Sequence, residues 1–440
     1  MRRRISSDKL LIFSYFIGVI IAGSVLLSLP PSWEGEGSLS ALDAVFTATS
    51  AVCVTGLIVV DTAQFSRFGQ FVIMALIQFG GLGIVTFATI FVATNRRKVS
   101  LLNRGMIQEL YIDEIDANPR RIVRHIVMLT LAAELIGGLV IGARLRDFGH
   151  EAYAFKAAFL AVSAFCNAGF SVFSDSLNGF RADWVMNLTF IALIVIGGLG
   201  FVVLRDLGRL FMRTKRRLSY HSLVVLRTTA ILIVVAFAAF YLLEYDGAYA
   251  GMPIGEKILA ALFQAVTPRT AGFDTVPQAS LGLPSAALIL ALMFTGGSPG
   301  STAGGVKTTT VFAAFMAAFR GPEDDGGVVY AGGYLAPQLL TKAFSIIVKG
   351  AALAFSCAMA LVIFEGPSLG FLDALFEAVS AFGTVGLSLG VTGGLGAASK
   401  ATLIATMFAG RVGLFAMAVL KPADRIERFA EFPREEIMLG

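Results

Sequence analysis

The stretch of this chain that reads most like a reactive loop is GGSPGSTAGGVKTTT, residues 296–310. A phosphate cradle requires Gly, four residues, then Gly-Lys-Ser/Thr, set between a strand and a helix. Gly300 and Gly305 have that separation, but Val306 stands between Gly305 and Lys307, displacing the lysine and the hydroxyl by one residue. The segment before it, LPSAALILALMF, is rich in Ala and Leu and reads as helix, with no βαβ alternation around it. Spacing and context exclude nucleotide chemistry here. Cys53, Cys166 and Cys357 are widely spaced and odd in number, which gives neither a disulfide framework nor a zinc pattern. His125, His150 and His221 form no ligand cluster, and no carboxylate pair or nucleophile–base set occurs in the apolar runs. The chain is expected to be no enzyme and to carry no covalent cofactor.

The remaining chemistry belongs to backbone carbonyls. Four semi-apolar segments resemble one another: ALDAVFTATSAVCVTGLIVVDT from 41, AFKAAFLAVSAFCNAGFSVFSD from 154, KILAALFQAVTPRTAGFDTVP from 257 and FLDALFEAVSAFGTVGLSLGVT from 371. Each runs through about ten apolar or small residues to Ser-Ala or Thr-Pro, then reaches a glycine. The aligned glycines Gly56, Gly169, Gly272 and Gly386 are 113, 103 and 114 residues apart, an internal repeat that fixes the organisation of the chain. The expected ion-coordinating positions are Val52, Cys53, Val54, Thr55 and Gly56; Phe165, Cys166, Asn167, Ala168 and Gly169; Pro268, Arg269, Thr270, Ala271 and Gly272; and Phe382, Gly383, Thr384, Val385 and Gly386. Glycine suits a place where the chain takes φ > 0 and brings its carbonyl close to an ion. Rings of such carbonyls replace a hydration shell, as in potassium filters. The carbonyl ends of short helices pointing at the same cavity would favour a cation.

Composition says where these segments sit. The chain is 56% hydrophobic and 15% charged, against about 25% charged in an average soluble domain. Apolar spans fall near 10–29, 68–94, 122–142, 184–204, 223–243, 282–319, 338–364 and 400–420. The basic start MRRR precedes a run long enough to be retained as the first span rather than a cleaved leader. The net charge of +5 is not a nucleic-acid signal, because the basic residues cluster between spans: NRRK at 95–98, PRRIVR at 119–124, RDLGRLFMRTKRR at 205–217 and KPADRIER at 421–428. These fall on one face, which the positive-inside rule makes cytoplasmic together with both termini. Arg144, Arg146 and Arg181 dissent on the outer face. The four repeated segments are too short to cross about 30 Å of hydrocarbon, and their non-helical backbone must line protein or a water-filled cavity. The expected fold is therefore an all-α polytopic membrane protein of four M1–P-loop–M2 repeats. Eight transmembrane helices and four re-entrant pore helices would surround a pseudo-fourfold pore. The repeats run over 10–95, 120–217, 222–320 and 337–422, with a cytoplasmic tail at 423–440.

With these four repeats, a glycine in each P segment and TGGSPGSTAGGVKTTT in the third M2, nearly the whole chain resembles the Trk/Ktr/HKT superfamily of potassium transporters. Within it, the absence of two extra N-terminal helices places the resemblance nearest the KtrB branch. Four filter glycines imply potassium as the transported ion, with sodium the alternative. The resemblance implies that residues 296–306 break the third M2 and cross the path as a gate, involving Gly296, Gly297, Ser298, Gly300, Ser301, Thr302, Gly304 and Gly305. Their composition suits this, since each glycine lowers helix propensity by about 1 kcal/mol and proline by about 3. Arg411 lies inside the last span, where a charge costs at least about 2.5 kcal/mol, and matches the family arginine below the filter. Lys307 is weighed evenly between anchoring the loop and gating, and Arg269 is assigned to positioning the third filter segment. The GGLG strings at 80–83 and 197–200 are taken as close-packing glycines, and the cysteines as small buried residues. The resemblance further implies a homodimer in the bacterial inner membrane, in contact with lipid. A KtrA-like cytosolic ring would bind ATP or ADP, because this chain has no nucleotide fold of its own. An alternating-access symporter is the competing mechanism, disfavoured because the repeats run parallel rather than inverted.

Overall fold

Each repeat opens on a long apolar run that forms a rod and continues into a run too short to do the same, which turns back. The computed structural model describes residues 7–94, 119–213, 217–320 and 326–413. Repeat 1 comprises α1 (Ser7–Leu27), α2 (Ala41–Cys53) and α3 (Arg67–Thr94). Repeat 2 comprises α4 (Pro119–Asp147), α5 (Tyr153–Cys166), α6 (Trp184–Leu199) and α7 (Phe201–Phe211). Repeat 3 comprises α8 (Tyr220–Leu243), α9 (Ile254–Val266), α10 (Leu283–Phe294) and α11 (Thr308–Arg320). A two-stranded antiparallel hairpin, β1 (Val328–Tyr330) and β2 (Gly333–Leu335), leads to repeat 4. That repeat comprises α12 (Pro337–Glu365), α13 (Phe371–Gly383) and α14 (Ala397–Phe408), which passes into a π-helical turn at Ala409–Gly413. The expected cytoplasmic cluster at 95–98, the end of the last span and the tail at 423–440 lie outside the described residues.

The half-helices α2, α5, α9 and α13 have 13, 14, 13 and 13 residues. At 1.5 Å per residue they are about 20 Å long, short of a bilayer crossing. They are the most buried elements; in α13 every residue from Phe376 to Gly383 is buried. The long helices surround them and turn apolar side chains outward, among them Ile21, Leu135, Leu139, Val234 and Ile363. By length and composition, Val123–Asp147, Tyr220–Leu243 and Pro337–Ser368 each suffice to cross a membrane unbroken.

Among the described residues two M2 rods are broken, where the sequence pointed to one. The interruption between α10 and α11 is the expected one. The other corrects the continuous span read over 184–204: the chain bends by 105° between α6 and α7 at Gly200, whose φ is 88°. Two of the three arginines that dissent from the charge rule are met locally by carboxylates. Arg144 Nε donates to Asp183 Oδ2 at 3.1 Å, and Arg181 pairs with Glu256 at 3.6 Å.

M2 helices lie unusually close to the half-helices, and glycine is what allows it. A Cβ at Gly80 would run into the carbonyl of Val52, one at Gly197 into that of Phe165 and one at Gly410 into that of Phe382. The carbonyl carbons alone would be 2.7, 3.0 and 2.9 Å away, inside contact distance. Gly197→Ala is expected to destabilise by about 1–3 kcal/mol, the usual range for overpacking. Gly138→Ala is the control, since its Cβ would sit 3.6 Å from the Ala161 methyl, in ordinary contact. Thermal unfolding of the detergent-purified proteins checks this: the first midpoint should fall and the second hold, and equal midpoints would contradict the packing argument.

Candidate functional site

The four half-helices converge, and the residues that follow each take the left-handed region twice. Val54, Asn167, Thr270 and Thr384 have φ of 57°, 59°, 72° and 50°, and two residues further on Gly56, Gly169, Gly272 and Gly386 have φ of 90°, 72°, 76° and 94°. Each segment thus takes a positive φ twice, with one residue of negative φ between. Successive carbonyls alternate sides in a regular strand; alternating the hand of the backbone turns them toward one side instead. The non-glycine members bear a strain of about 1–2 kcal/mol each.

The glycines close a ring. A Cβ on Gly56 would lie 2.9 Å from Gly169 Cα, on Gly169 3.1 Å from Gly272 Cα, on Gly272 3.2 Å from Gly386 Cα, and on Gly386 2.9 Å from Gly56 Cα. The nearest atom in each case is the carbonyl oxygen preceding the next repeat's glycine: Ala168, Ala271, Val385 and Thr55 in turn. The order follows the chain, each repeat touching the next and the fourth returning to the first. Lys400 Nζ reinforces that closure by pairing with Asp43 Oδ1 at 2.7 Å, tying α14 to the start of α2.

One hydroxyl per repeat holds each segment to its half-helix, a role the sequence reading missed. Ser50 Oγ and Ser380 Oγ accept from the amides of Gly56 and Gly386, each at 3.1 Å. Ser163 Oγ donates to Phe170 O at 2.7 Å, and Thr267 Oγ1 donates to Phe273 O. These are the Ser and Thr of the repeated Ser-Ala and Thr-Pro pairs, so the signal was present in the repeat itself. Because Ser50 leaves a buried glycine N–H unpaired when removed, Ser50→Ala is expected to cost about 1–3 kcal/mol in local order. In flux assays it should lower the discrimination between alkali cations by roughly fivefold or more, while Ser50→Thr retains it. Equal discrimination in Ser50→Ala and the parent would contradict this role.

The loop between α10 and α11 is ordered by bonds to two other repeats. Its base is closed by Gly296 N donating to Val306 O at 2.9 Å, and by Ser298 Oγ and Thr308 Oγ1 at 3.1 Å. From there Ser298 N reaches Gly198 O at 3.0 Å, and Thr302 Oγ1 donates to Gly197 O at 3.1 Å and Phe165 O at 3.2 Å. The Asn167 side chain lies 3.1 Å from that same hydroxyl. Across the bundle, Gly304 has no room for a Cβ because the Thr384 hydroxyl occupies the place, with Gly383 O at 3.0 Å. Asn167 and Thr384 cap the half-helices two residues before the ring glycines. The loop therefore lies across the side of the ring on which the half-helices end, spanning from repeat 2 to repeat 4.

Two cations meet the loop. Arg411 is buried, its Nη1 donating to Thr302 O and its Nη2 to Gly80 O at 3.0 Å, so one side chain of repeat 4 joins the loop of repeat 3 to repeat 1. Lys307 Nζ folds back on the loop, donating to Ala303 O at 2.6 Å and reaching Gly304 O at 3.5 Å, the contact of a loop anchor. Arg269 is buried in the third segment, and its Nε meets no acceptor among the described residues. Cys53 and Cys166 are buried in α2 and α5, with Cys166 Sγ 3.5 Å from Gln78 Oε1.

The string GGLG serves two purposes that its sequence does not distinguish. Gly80 and Gly197 are packing glycines, as expected. Gly198 and Gly200 instead meet the loop: Gly200 lies against Pro299 O, and the next amide, Phe201 N, donates to Gly300 O at 3.1 Å.

Four half-helices meeting at a closed ring of left-handed glycines, inside a sheath of apolar rods, define an all-α membrane protein of four pore repeats. The chain belongs to the TrkH family of cation transport proteins, whose family model matches residues 3–428. It is a membrane transporter, not an enzyme. It is 38% identical to the Ktr system potassium uptake protein B of Bacillus subtilis, over 99% of this chain and 97% of that protein. It is 34% identical to the potassium/sodium uptake protein NtpJ of Enterococcus hirae, over 100% of this chain and 98% of the relative. The crystal structure of the potassium transporter TrkH from Vibrio parahaemolyticus shares its fold, with a TM-score of 0.75 at 22% identity, covering 96% of this chain and 87% of that one.

Proposed function

We propose that this chain conducts potassium inward across the bacterial inner membrane, with both termini in the cytoplasm, through a filter formed by the glycine ring. The observation that carries the reading is the ring itself. Four segments whose φ alternates in sign meet at it, an arrangement in which carbonyls turned to a common axis would replace the water shell of a cation. The half-helix ends add partial negative charge at the same point. The loop at 296–306 is read as the gate, because it lies across the mouth of that ring and is fastened to two repeats besides its own, with Arg411 linking it to a third. Arg411 places a positive charge beside the loop, opposing a cation that has passed the ring.

The transport unit is a homodimer, each protomer with its own pore over the repeats 10–95, 120–217, 222–320 and 337–422. A cytosolic nucleotide-binding ring docks on the tail at 423–440, and ATP or ADP acts only through it. The printed name of the Bacillus relative, one component of a Ktr system, supports a partner. Sodium is the second candidate ion, favoured by the name of the Enterococcus relative. Expression in a potassium-uptake-deficient bacterium tests the reading. Growth at low potassium should return, more strongly with a ring subunit supplied, and excess sodium should not compete. Failure of growth with protein present in the membrane would contradict it.

A further inference from the structure

The bend at Gly200 sets α7 at 105° to α6, so a helix that continues a membrane-crossing rod lies near the plane of the bilayer. The 16 residues of α6 cover about 24 Å, which brings the start of α7 close to the edge of a hydrocarbon layer about 30 Å thick. The side chains of α7 and of the residues after it divide sharply. Leu204 and Leu207 pack with Leu199, Val203 and Val225, the last from α8. Phe211 falls on the same apolar side yet is 92% exposed, and Met212, which caps the helix, is 75% exposed. At 3.6 residues per turn, Arg205 and Arg209 share a separate arc of about 40°, and Arg213 follows in the left-handed turn (φ 57°) that ends the helix. Arg205 Nε is buried without an acceptor among the described residues, and the sequence continues with Lys215, Arg216 and Arg217.

An apolar tip beside a basic arc, on a helix parallel to the bilayer, is the pattern of a segment seated at the headgroup boundary. Apolar side chains of α8 are exposed as well, including Ile231, Val234 and Val235. We propose that α7 and the turn after it form a binding surface for anionic phospholipid. Phe211 and Met212 enter the acyl boundary, and Arg205, Arg209 and Arg213 meet headgroup phosphates of the cytoplasmic leaflet. Arginine suits this because its planar fork matches phosphate geometry.

The seating of α7 also reaches the loop. Phe201 N bonds Gly300 O at 3.1 Å at one end. Midway, the buried Asp206 carboxylate accepts from Ser222 Oγ at 2.8 Å and from Ser219 N at 3.3 Å, which fixes α7 to the start of α8. A helix held at these points transmits a change in leaflet contact to the loop residue it bonds. This second step rests on the loop acting as a gate; the lipid contact does not.

The test uses the full chain. An F211W reporter, compared with the parent that carries Trp33 and Trp184, should be quenched in vesicles of phosphatidylcholine with brominated acyl chains. Native mass spectrometry of the parent should show phosphatidylglycerol retained over phosphatidylcholine. In R209Q/R213Q that preference should fall roughly 25-fold, at about fivefold per charge near an anionic surface, and R209K/R213K should keep most of it. Matched elution on size exclusion guards against misfolding. An unquenched reporter, or the parent's lipid preference in R209Q/R213Q, would overturn the proposal in favour of a protein occupant of this face. Potassium flux should rise when phosphatidylglycerol is added for the parent and not for R209Q/R213Q. If lipid preference changes while flux does not, the binding surface stands and the link to the loop falls.

Discussion

Deleting Gly300–Gly305 should raise potassium flux per molecule by an order of magnitude or more, rather than abolish it. The deletion is structurally plausible because the loop closes at its base, where Gly296 N meets Val306 O at 2.9 Å, so the ends of the excised stretch are already near each other. It removes the bonds of Thr302 to Gly197 O and Phe165 O and leaves the four ring segments in place. Arg411→Ala should act in the same direction. It removes the donors that bind Thr302 O and Gly80 O, and with them a positive charge beside the path. A unit charge at 4 Å opposes a cation by about 4 kcal/mol at an effective dielectric of about 20, and by half that at twice the distance. Losing about 2 kcal/mol of barrier is roughly thirtyfold in rate. Arg411→Lys keeps the charge and should stay near the parent. Rubidium uptake corrected for protein in the membrane measures all three, and flux no higher than the parent in a well-expressed deletion would refute the gate.

Serine at the ring glycines should cost selectivity, and the four positions should not be equal. Gly56, Gly272 and Gly386 combine φ of 90°, 76° and 94° with a neighbouring repeat's carbonyl where a Cβ would sit. Left-handed backbone alone costs a non-glycine residue about 1–2 kcal/mol, and the steric conflict adds to it. Gly56→Ser should therefore lower the preference for potassium over sodium by roughly tenfold or more. At Gly169 a Cβ would still have 3.1 Å to Ala271 O, so Gly169→Ser should be the mildest of the four. Competition of sodium with rubidium uptake ranks them, and a set of equal or negligible effects would remove the ring from the selectivity mechanism.

The features legible from sequence were those written in local residue type: the four repeats, their glycines, the breaker in the third M2 and the lone arginine of the last span. Gly56, Gly169, Gly272 and Gly386 were found because a glycine recurs at the same place in each repeat, where a positive φ and the neighbouring repeat leave little room for a Cβ. The second bend was not legible, because GGLG reads alike at 80–83 and 197–200. α3 runs helical through the first copy, whereas at the second the Phe201 amide is drawn to Gly300 O, an atom a hundred residues away. The ties of Ser50, Ser163, Thr267 and Ser380 were missed for a different reason. Their types were visible in the repeat, but a hydroxyl's partner is set by how the segment folds back. The pairing of Arg144 with Asp183 and of Arg181 with Glu256 was not legible either, since an ion pair between elements leaves no periodic trace.

Whether an ion binds in the ring is open to direct observation. Crystals grown in rubidium chloride, measured at the rubidium absorption edge, report the position of a heavy potassium analogue. An anomalous peak is expected on the axis between Gly56, Gly169, Gly272 and Gly386, facing the carbonyls of Thr55, Ala168, Ala271 and Val385. It should weaken when sodium chloride replaces rubidium chloride and shift or vanish in Gly56→Ser. A well-diffracting crystal in rubidium with no peak on that axis, or with peaks only elsewhere, would contradict the glycine ring as the site of ion selection.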